Sequence, residues 1–366
     1  MRRRFFVYIA VFQSLLFLIH LLIYETWTYS AGIQASQWIA WAVGALSVSF
    51  VAASLLAFRF SNPIVSAFYK VAAVWAGVLT FLTFAAILSW IILGVTRLAG
   101  IKPNFHLIVE VLSGIAALLG LYAVLNASWT RIARVRLQLA NLPETWRGRK
   151  IALISDLHLG PVRNGGFLRR MITMIMKQSP DAVFIAGDLY DGTAIDAAGA
   201  AMPLSSLRAP HGVYFAAGNH EQFRDDTKYL NAIAAAGVRV LNDEKVEVDG
   251  LQIAGISYRT STQSGNLAAA LSKLQLERNR SSILLTHAPD HPAVAEAAGI
   301  SLQLSGHTHL GQFIPWTWIA RRVYKQFVHG LSRIGGLQVY TSSGAGTWGP
   351  PLRLGSNPEI VILLLE

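Results

Sequence analysis

Residues 150–160 read KIALISDLHLG, a short apolar run that ends in Asp156-Leu157-His158. Four later apolar runs end in the same way, each in a cluster drawn from Asp, Asn and His. They are Ala182–Ala186 before Gly187-Asp188, Val213–Ala217 before Gly218-Asn219-His220-Glu221, Ile283–Thr286 before His287, and Leu302–Leu304 before Gly306-His307-Thr308-His309. Stretches with a helical pattern separate these runs, which predicts a layered α/β domain with a strand at each run.

The polar clusters lie where a layered α/β domain builds its ligand sites. Ligands of such domains bind outside the carboxyl ends of the strands, so clusters that are far apart in sequence can meet there. Chance produces one or two such clusters and rarely five. Carboxylate, amide or imidazole donors are offered by Asp156, His158, Asp188, Asn219, His287, His307 and His309.

This donor set predicts a metal site. It contains no thiolate and suits divalent ions of intermediate hardness, such as manganese, iron or zinc. Seven ligands exceed the needs of one catalytic ion, but with one bridging carboxylate they fit two ions ~3.5–4 Å apart. Such a pair lowers the pKa of a bound water and aligns the resulting hydroxide with a phosphoryl group. The sequence therefore predicts two divalent ions and hydrolysis of a phosphate ester or pyrophosphate bond.

The chain before about residue 127 is predicted to span a membrane. Four stretches approach or exceed the ~20 apolar residues that a helix needs to cross a bilayer: roughly Phe5–Ile23, Trp38–Ala57, Val71–Val95 and Leu107–Leu125. The first follows Arg2–Arg4 as in a signal peptide, but no small-residue cleavage site comes after it, so we expect a retained helix. The predicted organisation is a transmembrane region at 1–127, a basic linker with a first strand at 128–149, and the catalytic domain at 150–366.

Basic residues near the spans predict the orientation. Lys and Arg precede the first span, separate the second from the third and follow the fourth, whereas the loop from Tyr24 to Ser36 has none. Arg97 and Lys102, in the other opposite loop, weaken this contrast without reversing it. Because basic loops stay on the cytoplasmic side, residues 128–366 are expected in the cytoplasm.

Composition narrows the function classes. The net charge of +11 favours acidic partners, namely anionic lipid, phosphate-bearing substrates or nucleic acid. Much of this charge flanks the spans, where topology explains it, so nucleic acid is not expected as a partner. The absence of Cys excludes disulfides, thiolate nucleophiles and Cys-ligated zinc. No Walker-type phosphate loop or Gly-rich dinucleotide fingerprint is present, which argues against ATP- or NAD-dependent roles.

The five clusters together resemble the ordered signature of the calcineurin-like metallophosphoesterases. The motifs are Asp156-Leu157-His158, Gly187-Asp188-Leu189-Tyr190-Asp191, Gly218-Asn219-His220-Glu221, Thr286-His287 and Gly306-His307-Thr308-His309. The resemblance covers roughly residues 135–366. Leu142-Pro143, Gly311-Gln312 and the ending GTWGPPLR (residues 346–353) resemble the family's bacterial membrane-associated branch, although Leu310 stands where this branch usually has glycine.

The resemblance implies a fold and a role for each motif residue. The fold is a four-layer sandwich of two mixed β-sheets flanked by helices, here preceded by an all-α transmembrane region of about four helices in a bacterial inner membrane. The first metal would be held by Asp156, His158 and His309, the second by Asn219, His287 and His307, with Asp188 bridging. His220 would be the general acid or stabilise phosphoryl charge, and Asp191 and Glu221 would orient ligands.

The sequence is compatible with several functions. A lipid-borne phosphate ester is one expected substrate, because four spans are an elaborate way to hold an enzyme of soluble substrates. A nuclease or cyclic-nucleotide phosphodiesterase is the alternative within the class. A membrane signalling or transport protein that only binds ligand is the alternative of another class. The segment Phe313–Arg322 either enters the membrane interface beside the site or packs its tryptophans into the core.

Overall fold

Four long apolar helices precede the strands in the computed structural model, which describes residues 2–33, 36–223 and 226–366. They are α1 (Arg2–Ala31), α2 (Gln37–Ala57), α3 (Pro63–Leu98) and α4 (Phe105–Asn126). All four are long and apolar enough to cross a membrane, with mean hydropathy between 2.0 and 2.4 over their apolar windows. At most 33% of each window is buried in protein. The four helices are therefore candidate membrane spans, and each predicted apolar stretch falls on one of them.

Capping explains why α3 begins well before its apolar stretch at Val71. The side-chain oxygen of Asn62 accepts a hydrogen bond from the Val65 N–H at 2.9 Å, and Pro63 occupies the first helical position. Both features favour a helix start, because the amide accepts from an otherwise unpaired N–H and proline has no N–H to satisfy.

The chain divides into two compact units. One comprises the residues up to Leu125 together with Gly349–Leu352, and the other comprises Asn126–Trp348 together with Arg353–Glu366. The strands of the second unit are β1 (Arg131–Leu137), β2 (Lys150–Ile154), β3 (Ala182–Ala186), β4 (Val213–Ala216), β5 (Arg239–Val240), β6 (Glu244–Val248), β7 (Leu251–Ile256), β8 (Ser282–Thr286), β9 (Leu302–Ser305), β10 (Gly330–Ile334), β11 (Leu337–Thr341) and β12 (Glu359–Leu365).

These strands form two mixed sheets within the described residues. The first has the order β1-β12-β2-β3-β4-β5 and the second the order β10-β11-β9-β8-β7-β6. Strands β2 to β5 are parallel, as are β7, β8, β9 and β11. The antiparallel pairs are β12 with β2, β10 with β11, and β6 with β7. Parallel strands carry their carboxyl ends to the same sheet edge, which is what positions the site.

Helices cover the outer face of each sheet. Those on the first sheet are α5 (Gly165–Met176), α6 (Ala197–Ala201) and α7 (Thr227–Ala235), and those on the second are α9 (Ser264–Lys273) and α10 (Pro292–Ala297). The remaining helices of this unit are α8 (Tyr258–Ser261) and α11 (Trp316–Tyr324). Alternate residues of β2 serve two cores: Ile151 and Leu153 pack between the sheets, whereas Ile154 packs with Met171 of α5. Both faces of the central strands are buried, so they read as continuous apolar runs. The predicted four-layer sandwich is confirmed.

Strand β1 shows how an edge of the first sheet is protected. It pairs in parallel with β12, from Arg131 opposite Glu359 to Leu137 opposite Leu365. Its arginines lie at the sheet edge, where charged side chains discourage pairing with another chain. The basic sequence that flanks the fourth apolar stretch is thus also an edge strand.

Candidate metal centre

The predicted ligands follow the carboxyl ends of five strands, and the structure brings all seven together. They are Asp156 and His158 after β2, Asp188 after β3, Asn219 after β4, His287 after β8, and His307 and His309 after β9. The first four belong to one sheet and the last three to the other. The cluster therefore lies where corresponding edges of the two sheets meet.

A left-handed backbone turns five of these residues inward. The angle φ is 53° at Asp156, 49° at His158, 53° at Asp188, 70° at His307 and 49° at His309. Non-glycine residues rarely occupy this region, and such residues, at about 1–3 kcal/mol each, concentrate at functional sites. The sharp turn ends the pleat of the strand and directs the next side chains into the cluster.

Glycine at 218 lets two of these loops approach closely. A Cβ atom there would lie 2.1 Å from Oδ1 of Asp188 and 2.6 Å from its backbone nitrogen. The Gly218 N–H donates to Glu221, and the His220 N–H donates to Asp188 Oδ1 at 2.9 Å. The loop after β4 is thus bonded directly to the carboxylate that follows β3.

One group of donors surrounds Asp156. Oδ1 of Asp156 lies 3.4 Å from Nε2 of His309 and 3.9 Å from Nε2 of His158. The two Nε2 atoms are 3.0 Å apart. One ligand atom from each of these three residues lies within 4.8 Å of the others, and all three residues are buried.

A second group surrounds Asp188. Its Oδ2 lies 3.1 Å from Nε2 of His287, which in turn is 3.1 Å from Nδ1 of His307 and 3.0 Å from Oδ1 of Asn219. The same Oδ2 is 3.8 Å from Nε2 of His158 in the first group. Asp188 therefore lies between the two groups.

The hydrogen bonds of His287 show that the site fits a cation. Its Nδ1 lies 2.8 Å from the Ala186 carbonyl, so Nδ1 carries a proton and donates there. In a neutral ring, Nε2 would then present a lone pair to the oxygens of Asp188 and Asn219. A second proton on the ring, or a cation among these atoms, removes this repulsion between acceptors.

Electrostatics favour the same interpretation. Burial is the largest influence on the pKa of His287 and by itself would lower it. The charge of Asp188, the hydrogen bond to Asp188 and the charge of Asp156 together outweigh burial and raise this pKa to about 10. Burial lowers the pKa of His307 to about 4, with the charge of His287 adding to the effect. Burial likewise holds the pKa values of His158 and His309 well below the usual range. Neutral imidazole is the form that binds metals.

Glu221 holds two of the loops that carry ligands in place through hydrogen bonds. Its carboxylate accepts hydrogen bonds from the N–H groups of Asp188 and Gly218, both at 2.9 Å, and from Tyr190 at 3.1 Å. The side chain is fully buried. Burial, with the charge of Asp188 as a second cause, raises the pKa of Glu221 to about 7.

His220 and Asp191 form the wall next to His158. Nδ1 of His220 lies 2.9 Å from the carbonyl oxygen of Asp191 and donates to it, which leaves Nε2 facing Asp188 Oδ2 at 3.9 Å. Oδ1 of Asp191 lies 3.7 Å from Nδ1 of His158. Neither of these two atoms has a hydrogen-bond partner within the described residues. Burial, then the nearby charge of Asp188, raises the pKa of Asp191 well above its usual range.

Arg353 also supports the site, although the sequence predicted no role for it. The side chain is fully buried and its guanidinium donates to the carbonyl oxygens of His309, Ser343 and Gly346 at 2.7–2.8 Å. It also lies 3.2 Å from Nδ1 of His309. The sequence offered one signal, an arginine inside the motif-like ending GTWGPPLR, but no indication of its partner.

Aromatic side chains line the approach to the site, and the sequence did not predict this role for them. The ring of Phe223 lies 4.4 Å from that of His220, and the ring of Trp348 lies 5.9 Å from it. Both aromatic side chains are more than half exposed. On the other side, Tyr258 packs 5.5 Å from the ring of His307. The wall beside His220 is therefore apolar and open to solvent.

Comparison with known proteins identifies the family. Residues 149–311 match the calcineurin-like phosphoesterase family. An uncharacterized metallophosphoesterase of Aquifex aeolicus is 31% identical over 260 residues, which cover 69% of this chain and 98% of that protein. The chain belongs to the calcineurin-like phosphoesterase family, and the predicted resemblance is confirmed.

Two further relatives extend well beyond the region that matches this chain. An uncharacterized metallophosphoesterase of Campylobacter jejuni is 34% identical over 229 residues, covering 62% of this chain and 61% of the relative. A transmembrane protein with metallophosphoesterase domain from Danio rerio is 32% identical over 270 residues, covering 69% of this chain and 61% of the relative. The chain thus spans about three fifths of the length of these two relatives.

Proposed function

We propose that the chain is a membrane-anchored phosphohydrolase that uses two divalent ions to cleave a phosphate ester or pyrophosphate bond of a lipid-linked substrate. The position of Asp188 between two groups of imidazole and carboxylate donors carries this proposal. Manganese, iron and zinc are the ions that suit these donors.

The ligands divide between the two groups. Asp156, His158 and His309 would hold one ion, Asn219, His287 and His307 the other, and the Asp188 carboxylate would contribute to both. When bound, the ions would supply an activated water and offset the negative charge on the phosphoryl oxygens. The chain's own part is to keep the donors fixed, through the N–H bonds that Glu221 accepts and the bonds that Arg353 donates.

His220 is the proposed proton donor to the leaving oxygen. The Asp191 carbonyl holds a proton on Nδ1, so a protonated ring that releases its Nε2 proton ends in the tautomer that the protein already stabilises. The backbone N–H of His220 is bonded to Asp188, which fixes the ring relative to the donor groups. A positioned general acid of this kind contributes about 10²–10⁴-fold to the rate.

Two features support a lipid-linked substrate. The described residues contain four candidate membrane spans, and the exposed rings of Phe223 and Trp348 offer an apolar surface beside His220. An acyl or prenyl chain attached to the phosphate would pack against this surface. The basic loops flanking the spans support a catalytic unit on the cytoplasmic side of a bacterial inner membrane.

The test is hydrolysis by the purified full chain in detergent, stripped with a chelator and resupplied with manganese, zinc, iron or magnesium. Substrates are bis-p-nitrophenyl phosphate and p-nitrophenyl phosphate, followed by a matched pair of long-chain and short-chain prenyl pyrophosphates. We expect metal-dependent turnover that Asp188→Asn abolishes and His220→Ala lowers by about 10²–10⁴-fold. His211→Gln, a histidine that pairs with Asp249 away from the cluster, is the matched control.

Two outcomes would contradict the proposal. Turnover that survives metal removal, or that Asp188→Asn leaves unchanged, would refute the chemistry. Equal turnover of the long-chain and short-chain pyrophosphates, unaffected by Phe223→Ser, would refute the lipid-linked substrate while leaving the chemistry intact.

A further inference from the structure

Helix α11 presents an apolar face to the outside of the molecule. Trp316 is 51% exposed, Trp318 63%, Ile319 50% and Val323 63%. At 100° per residue these four side chains occupy one broad side of the helix, while Thr317 on the other side is buried. Surface apolar residues are ordinary when they are scattered, but a contiguous group on one helix face indicates a binding surface.

Cations lie within and beside this face, and carboxylates are absent from the surrounding sequence. At 100° per residue Arg322 falls between Trp318 and Ile319, and Arg321 lies at the edge next to Trp318. Arg321, Arg322 and Lys325 are exposed, and none of the three forms an ion pair within the part of the chain that the structure describes. The sequence from residue 297 to residue 358 contains no Asp or Glu. The face therefore combines large apolar side chains with unpaired positive charge, which complements an anionic surface.

The helix is fixed next to the metal centre. It begins at Trp316, shortly after His309, and Tyr324 at its end packs its ring 6.2 Å from the ring of His307. The connecting turn is tight, because a Cβ at Gly311 would lie 2.2 Å from the carbonyl oxygen of Trp316. Whatever binds the outer face of α11 is thus held at a fixed distance from the donor cluster.

We propose that the outer face of α11 inserts into the boundary between headgroups and acyl chains of an anionic lipid bilayer. Tryptophan and arginine suit this boundary because each combines an apolar body with a polar end, and interfacial helices carry such faces flanked by basic residues. Anionic headgroups attract the three cations. This surface builds on the proposed function, since it would hold the centre at the depth where lipid-borne phosphate lies.

A site-directed spin label tests the proposal without any substrate. The chain has no cysteine, so Val323→Cys gives a single labelling position. Met202→Cys is the matched control, because Met202 is 64% exposed and lies in the same unit but outside α11. The full chain is placed in nanodiscs of equal parts phosphatidylcholine and phosphatidylglycerol. Collisions of the label with oxygen and with a water-soluble relaxation agent then report its depth.

We expect the label at 323 to be accessible to oxygen and shielded from the water-soluble agent, and the label at 202 to show the reverse. Arg321→Gln with Arg322→Gln should reduce the shielding at 323, whereas the same exchange of the exposed pair Arg169 and Arg170 on α5 should not. Equal collision with the water-soluble agent at 323 and 202 would overturn the proposal. Because the label reports depth and not turnover, this failure is distinguishable from a failure of hydrolysis.

Discussion

Adding a single methyl group at Gly218 should disable the centre. In Gly218→Ala the new Cβ would meet Asp188 Oδ1 at 2.1 Å and the Asp188 backbone nitrogen at 2.6 Å, whereas ordinary contact begins at 3.4 Å. The carboxylate or the Gly218 backbone must therefore shift by about 0.9 Å to reach the closest contact that a Cβ makes, 3.0 Å, and by about 1.3 Å to reach ordinary contact. Because one contact is with backbone, a side-chain rotation alone does not relieve it.

The size of the effect follows from this displacement. Overpacking of a buried position costs about 1–3 kcal/mol, which lowers Tm by roughly 2–4 °C per kcal/mol in a domain of this size. A displacement of about 1 Å in a reacting group costs on the order of 10²-fold in rate. The Asp188 carboxylate is the proposed shared ligand, so bound metal should fall as well.

The assay combines three measurements on the full chain in detergent: thermal unfolding, metal content by plasma mass spectrometry, and hydrolysis of bis-p-nitrophenyl phosphate. Gly265→Ala is the matched control, because Gly265 lies in helix α9 and a Cβ there meets nothing within 4 Å. Alanine in a helix is neutral or stabilising relative to glycine. Wild-type metal content and turnover in Gly218→Ala would refute the proposed placement of Asp188.

Two further predictions follow from the buried groups around the centre. Arg353→Met should leave buried carbonyl groups unpaired, which costs about 1–3 kcal/mol each. Arg353→Lys should not restore thermal stability, because the single ammonium of lysine cannot reproduce the directed N–H groups of a planar guanidinium. A Tm within error of wild type in both variants would contradict this role of Arg353. In the metal-free chain, the raised pKa of His287 provides stability that is full below pH 6.5 and is lost as the pH rises through about 10. The Tm of the metal-free chain should therefore fall between pH 6.5 and about 10, and added manganese or His287→Gln should reduce this fall. A metal-free Tm that does not fall over this pH range would count against the pairing of His287 with Asp188.

Strand positions were predictable where both faces of a strand are buried. Strand β3 has the bounds that its apolar run indicates, because a central strand of a sandwich is apolar on both sides. Strand β1 reads RIARVRL and has its partner, β12, more than two hundred residues away. No local pattern records such a pairing, so the sheet order could not be predicted from the residues alone.

The candidate site was predictable to the extent that its residues follow strands directly. Asp156, Asp188 and His287 come at or just after strand ends, so the edge rule for parallel strands was enough to group them. Arg353 and Phe223 act through contacts that only the folded chain creates, such as the bond from Arg353 to the His309 carbonyl. Exposure of the tryptophans on α11 likewise depends on which side of the helix packs inward, which the mixed sequence of this helix does not specify.

The number of ions bound per chain tests the central claim most directly. Equilibrium dialysis of the stripped full chain against manganese should give about two ions per chain for the wild type and at most about one for Asp188→Asn, because this carboxylate is proposed to serve both ions. The same measurement on His211→Gln should match the wild type. Equal manganese binding by Asp188→Asn and the wild type would contradict the account.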